Sequence, residues 1–170
     1  MMTLEQVSAD LEIRKVLANY CRGVDRWDAE TLKSCYHPDA TDDHTMFKGL
    51  GHDFADFIVE YCAKIEGASN HNVTIVNIDQ VGPNRANVES YYIAFHQIRD
   101  EAGVDSLLMT GGRYLDRFEQ RGGAWKIAKR ICTIDWSRAP FPNPGWEFAK
   151  SFPKIGPKGV DPMYALFAEA

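Results

Sequence analysis

The strongest constraint on this chain is a change of hydrophobic period at Gly67. Before it, apolar residues recur at helical spacing; after it, they alternate every second residue. Residues 8–24 read as a helix capped by Ser8, with Leu11, Ile13, Val16, Leu17, Tyr20 and Val24 as its apolar stripe, Gly23 near its end and Asp25 just beyond. Asp28 can cap a short second helix that runs to about Tyr36, with Leu32 and Cys35/Tyr36 on its inner side, and Pro38 ends it. A third helix is predicted from Asp53 to Ile65, with Phe54, Phe57/Ile58, Tyr61 and Ile65 on one side. Then HNVTIVNIDQV (71–81), ANVESYYIAFHQIR (86–99), SLLMTGGRYLDRFEQ (106–120) and AWKIAKRICTIDW (124–136) read as strands separated by GPN, DEAGVD and RGG. Links this short favour antiparallel pairing, because a parallel crossover needs a dozen or more residues. Helices first and an antiparallel sheet after make an α+β layout, and strands this long twist and curl enough to leave a pocket at a concave end.

At 170 residues the chain is one domain, 1–136, with an extension, 137–170. The extension holds six of the chain's eight prolines, too many for a central strand or a long helix. Its aromatics, Phe141, Trp146, Phe148, Phe152, Tyr164 and Phe167, argue for an arm packed on the domain, a lid over the pocket or a subunit contact. With 19 basic against 24 acidic residues, a net charge of −5 and no Lys/Arg stripe, nucleic acid is not an expected partner. No apolar run approaches the ~20 residues that span a bilayer. MMTLEQVSADLEIRK lacks the apolar core of a signal peptide, so a cytoplasmic address without membrane association is expected. Cys21, Cys35, Cys62 and Cys132 are scattered, which suits buried reduced thiols and calls for no metal.

Two polar residues stand out by position. Asp25 closes the first helix and His71 opens the first long strand. A carboxylate on one imidazole nitrogen fixes the tautomer and leaves the other nitrogen as a general base. A helix cap and a surface histidine are the plainer alternatives. His96 shares a strand face with Tyr92, Ala94 and Ile98, and an antiparallel partner could bring it toward His71, or leave it on the solvent face. Arg130 alternates with Lys126, Ala128 and Cys132, opposite the core face of Trp125, Ile127 and Ile131. It lines a pocket, where it would bind a carboxylate or oxyanion, or it is an exposed ion-pair partner; Arg113 has the same two readings. His37-Pro-Asp39-Ala-Thr-Asp42-Asp43-His44 matches no familiar metal-ligand spacing and reads as a solvated acidic loop. Gly111-Gly112 marks a bulge or bend in mid-strand.

In combination, YCRGVDRWDAETLKSCYHPDA, SNHNVTIVNIDQVG, ANVESYYIAFH and GGRYLDRFEQRGGAWKIAKRICTIDW resemble the SnoaL-like branch of the nuclear-transport-factor-2-like superfamily over roughly residues 5–136. The resemblance implies a cone-shaped α+β barrel, a curved antiparallel sheet wrapped around three N-terminal helices. The branch includes scytalone dehydratase, bile-acid 7α-dehydratase and hexachlorocyclohexane dehydrochlorinase, in which an Asp–His pair removes a proton from carbon without a cofactor. On that likeness Asp25 and His71 fall on the pair, Tyr20 on a tyrosine of the dehydratases, His96 on a second histidine and Arg130 near a functional arginine. The expectation is a cofactor-independent lyase of dehydratase type acting on a small cyclic, steroid- or polyketide-like substrate, as a homodimer or homotrimer. An isomerase or cyclase using the same dyad, and a non-catalytic ligand-binding or dioxygenase small-subunit-like protein, are the alternatives.

Overall fold

The computed structural model describes residues 1–64, 68–99, 103–142, 156–162, 164 and 168. The first helix, α1 (Leu4–Asp25), starts four residues earlier than its apolar stripe suggested. Thr3, not Ser8, caps it: Thr3 and Gln6 form a capping box that satisfies two otherwise orphan N–H groups. Ala9, Ile13, Leu17, Tyr20 and Val24 make the buried face, while Leu11, about 200° around the helix from Ile13, is 63% exposed. Asp28 caps α2 (Ala29–Ser34) as expected, but the helix ends at Cys35 rather than Pro38. The Cys35 carbonyl already accepts from Ile127 N–H at 2.9 Å, and that sheet contact converts Tyr36 onward into a strand.

That strand, β1 (Tyr36–Asp43), replaces the expected acidic loop. It pairs antiparallel with β2 (Lys48–Leu50) and parallel with β6 (Ala124–Cys132), and Pro38 falls in the irregular stretch between its Tyr36 and Thr41 pairings, where a missing N–H costs little. Between them α3 (Gly51–Lys64) buries Phe54, Ala55 and Cys62, with Phe57 and Ile58 packed on the core; Tyr61 points out, and Ile65 lies outside the described residues. The remaining strands are β3 (Ser69–Gly82), β4 (Arg85–Arg99), β5 (Asp105–Arg121) and β7 (Trp136–Pro142). The order is β2-β1-β6-β5-β4-β3, with β7 on β5: a curved, mixed sheet that does not close, wrapped around the three helices. The α+β cone is as expected, and the parallel β1–β6 pair is what makes its sheet mixed rather than purely antiparallel.

One strand organises this sheet. β5 pairs with β4 from Asp105 to Glu119, while its other edge holds β6 from Tyr114 onward and β7 up to Gly111. The chain crosses from β6 to β7 over Gly111-Gly112, where Thr133 N–H reaches Arg113 O and Asp135 N–H reaches Gly111 O, both at 2.9 Å. The β4–β5 register is continuous there, so the glycines mark a close approach rather than a bulge. A Cβ on Gly112 would sit 2.0 Å from Thr133 O, and one on Gly111 would sit 2.3 Å from the Trp136 ring.

The arm returns to the end of α1. Lys158 N–H donates to Arg26 O at 2.6 Å, its Nζ meets Asp28 Oδ1 at 2.8 Å, and Asp161 Oδ2 lies 2.9 Å from Arg26 Nε. β7 continues the sheet across residues 136 and 137. Trp146, Phe148, Phe152 and Phe167 of the arm lie outside the described residues. The four cysteines are free, and among the described residues no helix is long and apolar enough to cross a membrane.

Gly112→Ala forces a carbon into backbone, so it should cost about 2 kcal/mol or more and lower the melting temperature by several degrees. Gly82→Ala, which meets nothing within 4 Å, is the control and should melt close to wild type.

Candidate active site

α1 ends on Asp25 and aims its carboxylate at the first residues of β3, where the two-residue period puts Ser69 and His71 on the inner face. Asp25 Oδ1 accepts from Ser69 Oγ at 2.8 Å and lies 2.7 Å from His71 Nδ1; Oδ2 accepts His71 N–H at 3.0 Å. At 7% exposure the carboxylate is buried with its bonds satisfied, which assigns the Nδ1–H tautomer to His71. Nε2 has no partner among the described residues and is the nitrogen left to act as a base.

His96 stands on the neighbouring strand, opposite Ser69, and its ring meets that of His71 edge-on at 5.3 Å. Burial pushes His96 down to about 4, and the charge that His71 can carry pushes the same way against Asp25. His96 is therefore neutral near pH 7, able to donate one N–H and accept at the other nitrogen.

Tyr20 and Arg130 form a second cluster. Arg130 does not lie opposite Ile127 as strict alternation required. The β5–β6 register slips by one residue between the pairs Arg117↔Lys129 and Phe118↔Ile127, so Ile127 and Arg130 both face inward and Ile131 turns out to 36% exposure. Arg130 binds Asp116 through Nε at 2.8 Å and Nη2 at 2.7 Å, with its guanidinium carbon 4.0 Å over the Tyr20 ring and 4.2 Å over that of Tyr114. Its Nη1 is buried with no acceptor among the described residues. Burial raises Asp116 and the arginine opposes that rise, while burial keeps Tyr20 a neutral phenol far above ordinary pH. Arg113, in contrast, pairs with Glu89 and Asp135 toward solvent.

The Tyr20 hydroxyl is 3.3 Å from His44 Nε2. His44 Nδ1 in turn bonds Asp42 Oδ1, and Asp42 Oδ2 accepts from Tyr36 Oη at 2.6 Å. Burial alone would pull His44 down, but the Asp42 bond, with Cys132 alongside, outweighs it and lifts His44 to about 9. The two clusters meet through Cys21, one residue past Tyr20: burial first and Asp25 second push its thiol up to about 12, while Arg130 pulls the other way.

The structure thus joins Asp25, His71 and His96 in one group, and Tyr20 and Arg130 in an adjoining one. Sequence reasoning missed Ser69, Asp42, His44, Tyr114 and Asp116. The available signal was the alternation of Ala40, Asp42 and His44, which marks one face of a strand. Among the described residues no group of three or more His, Cys, Asp or Glu side chains is arranged to hold a metal ion.

The model of the SnoaL-like domain matches residues 5–131. No match was found among curated proteins. A protein provisionally assigned as a scytalone dehydratase from Novosphingobium aromaticivorans superposes with a TM-score of 0.71 at 22% identity, over 86% of this chain and 100% of that one. A hexachlorocyclohexane dehydrochlorinase, the type 2 LinA, gives 0.72 at 18% identity, over 84% and 99%. A protein provisionally assigned as an aromatic ring hydroxylase, also from Novosphingobium aromaticivorans, gives 0.68 at 16% identity, over 81% and 94%. At such identities the structural likeness is one of fold. The family match over more than half of the chain, on a cone that carries these clusters inside, places the protein in the SnoaL-like domain family of the nuclear-transport-factor-2-like superfamily.

Proposed function

We propose that the protein is a cofactor-independent lyase of dehydratase type, acting on a small cyclic, steroid- or polyketide-like compound that bears a hydroxyl β to a carbonyl. The observation that carries this reading is the buried Asp25–His71 pair, with Ser69 and a backbone N–H on the carboxylate and Nε2 left without a partner among the described residues. His71 Nε2 takes the proton α to the carbonyl, and Asp25 balances the imidazolium. The electron pair from the C–H bond flows to the carbonyl oxygen as an enolate. The Tyr20 hydroxyl and the unpartnered Arg130 Nη1 supply donors for that charge, each worth ~3 kcal/mol in a preorganised site.

Collapse of the enolate forms the carbon–carbon double bond and expels the β-hydroxyl. His96 steadies the departing oxygen with its N–H, and the proton collected by His71 completes the water. The dyad ends as it began. Isomerase or cyclase chemistry would share the enolate and differ only in where the electron pair goes next. The reading includes a homodimer or homotrimer in the cytoplasm, whose interface would cover exposed apolar groups such as Ile134 and Trp136.

Turnover of a panel of cyclic β-hydroxyketones, hydroxysteroids and phenolic polyketides tests this. His71→Ala should lower the rate by about 10²–10⁴ and Asp25→Asn by ~10² or more, with both variants folded by circular dichroism. Normal turnover in both variants would remove the dyad from the mechanism. A second prediction concerns binding: a compound at 100 times its dissociation constant should add ~2.7 kcal/mol to the stability of the wild type, read as a melting shift of several degrees.

A further inference from the structure

The acidic stretch around residues 37–44 contains a second Asp–His pair that the proposed reaction does not use. We propose that His44, held by Asp42, is a positioning residue that donates its Nε2–H to the Tyr20 oxygen and thereby turns the Tyr20 proton away from itself, toward the substrate oxygen. This rests on the reading of Tyr20 as an enolate donor.

A phenol has one hydrogen, so the bond between Tyr20 and His44 can run in only one of two directions. With a neutral His44 whose Nδ1–H is on Asp42, Nε2 is an acceptor, and Tyr20 spends its proton there. With an imidazolium both ring nitrogens donate, Tyr20 must accept, and its own hydrogen is free for a ligand.

The surroundings select the imidazolium. Asp42 receives Tyr36 Oη–H on one oxygen and His44 on the other, so it is used as an acceptor on both sides, as a carboxylate is. Among the described residues, the cluster around Tyr20 and Tyr114 holds two buried acids, Asp42 and Asp116, and one buried guanidinium, Arg130, which is committed to Asp116; the buried Asp25 is held apart from it by Ser69 and His71. A second buried cation balances the second carboxylate. Among the described residues the groups in contact with His44 are Asp42 from β1, Tyr20 from α1, Phe54 from α3, Tyr114 from β5 and Cys132 from β6; beyond them Arg130 of β6, the register partner of Asp42, lies over the Tyr20 and Tyr114 rings with its charge taken up by Asp116 of β5. Its half-buried neighbour Asp43 is paired with Lys48. Phe54 lies flat under the imidazole at 4.2 Å and 14°, offering a ring face to a cation.

Two measurements on the full chain test this without a known substrate. In nitrogen-15 NMR of the histidine rings, assigned by the signal lost in His44→Gln, both His44 nitrogens should be protonated at pH 7 and release a proton only near pH 9. Asp42→Asn should bring that titration down by at least tenfold in proton concentration. An unprotonated Nε2 at pH 7 in the wild type overturns the proposal, because Tyr20 is then the donor. The second measurement is binding of 4-nitrophenolate, a charged oxygen probe, followed by its absorbance. Affinity should fall about tenfold in both Tyr20→Phe and His44→Ala, and recover in His44→Gln, whose amide N–H can still donate to Tyr20. Equal affinity in wild type, Tyr20→Phe and His44→Ala, weak or strong, overturns it. A silent His71→Ala alongside a protonated His44 Nε2 would sink the lyase reading and leave the orientation of Tyr20 standing.

Discussion

Everything in this molecule is hung from β5. A strand of 17 residues, shared by β4 on one edge and by β6 and β7 in turn on the other, is possible only because two glycines let the β6–β7 link cross it at backbone distance. That crossing fixes where β6 stops, and so which residues of β5 face the helices. Tyr114 and Asp116 come from the half of β5 that β6 covers, and they hold Arg130, which in turn lies over Tyr20 of α1. The geometry of the polar interior is therefore set by a steric requirement farther along the same edge of the strand.

Burying so many ionisable groups is costly unless each finds a partner, and here they do so in short chains rather than isolated pairs. Asp116 meets Arg130; Asp42 meets Tyr36 and His44; Asp25 meets Ser69, His71 and a backbone N–H. The arrangement separates two jobs. Around Asp25 one carboxylate is shared by a hydroxyl and an imidazole, whereas around Tyr20 one guanidinium is clamped by a carboxylate between two aromatic rings. One α-helix carries a member of each group, five residues apart, with Cys21 feeling both.

How much of this could be read from the chain depended on whether the relevant force is local. The strands from Ser69 to Cys132 were legible because their alternation is bounded by turn residues such as GPN and RGG, and Asp25 and His71 stood out because a helix end and a strand start are local features, whereas their pairing, between residues 46 positions apart, was suggested only by the family resemblance. β1 was not: HPDATDDH looks solvated until its partners, β6 and the Tyr20 hydroxyl, are in place. The inward turn of Arg130 depends on a one-residue slip that no alternation pattern contains, and its partner Asp116 lies on another strand. The N-terminal turn of α1 went unseen because a capping box, Thr3 with Gln6, is a polar signal ahead of the apolar stripe.

The clasp formed by Lys158 and Asp161 on the turn after Asp25 has a temporal meaning. The Lys158–Asp28 bond joins residues 130 positions apart, whereas Asp25 and His71 are 46 apart. During synthesis Asp25, Asp28 and His71 are all made before Lys158, so a nascent chain passes through a stage in which the Asp25–His71 contact can form while the turn beside it is not yet fastened. The order of translation thus sets the clasp on that turn after the strands it follows.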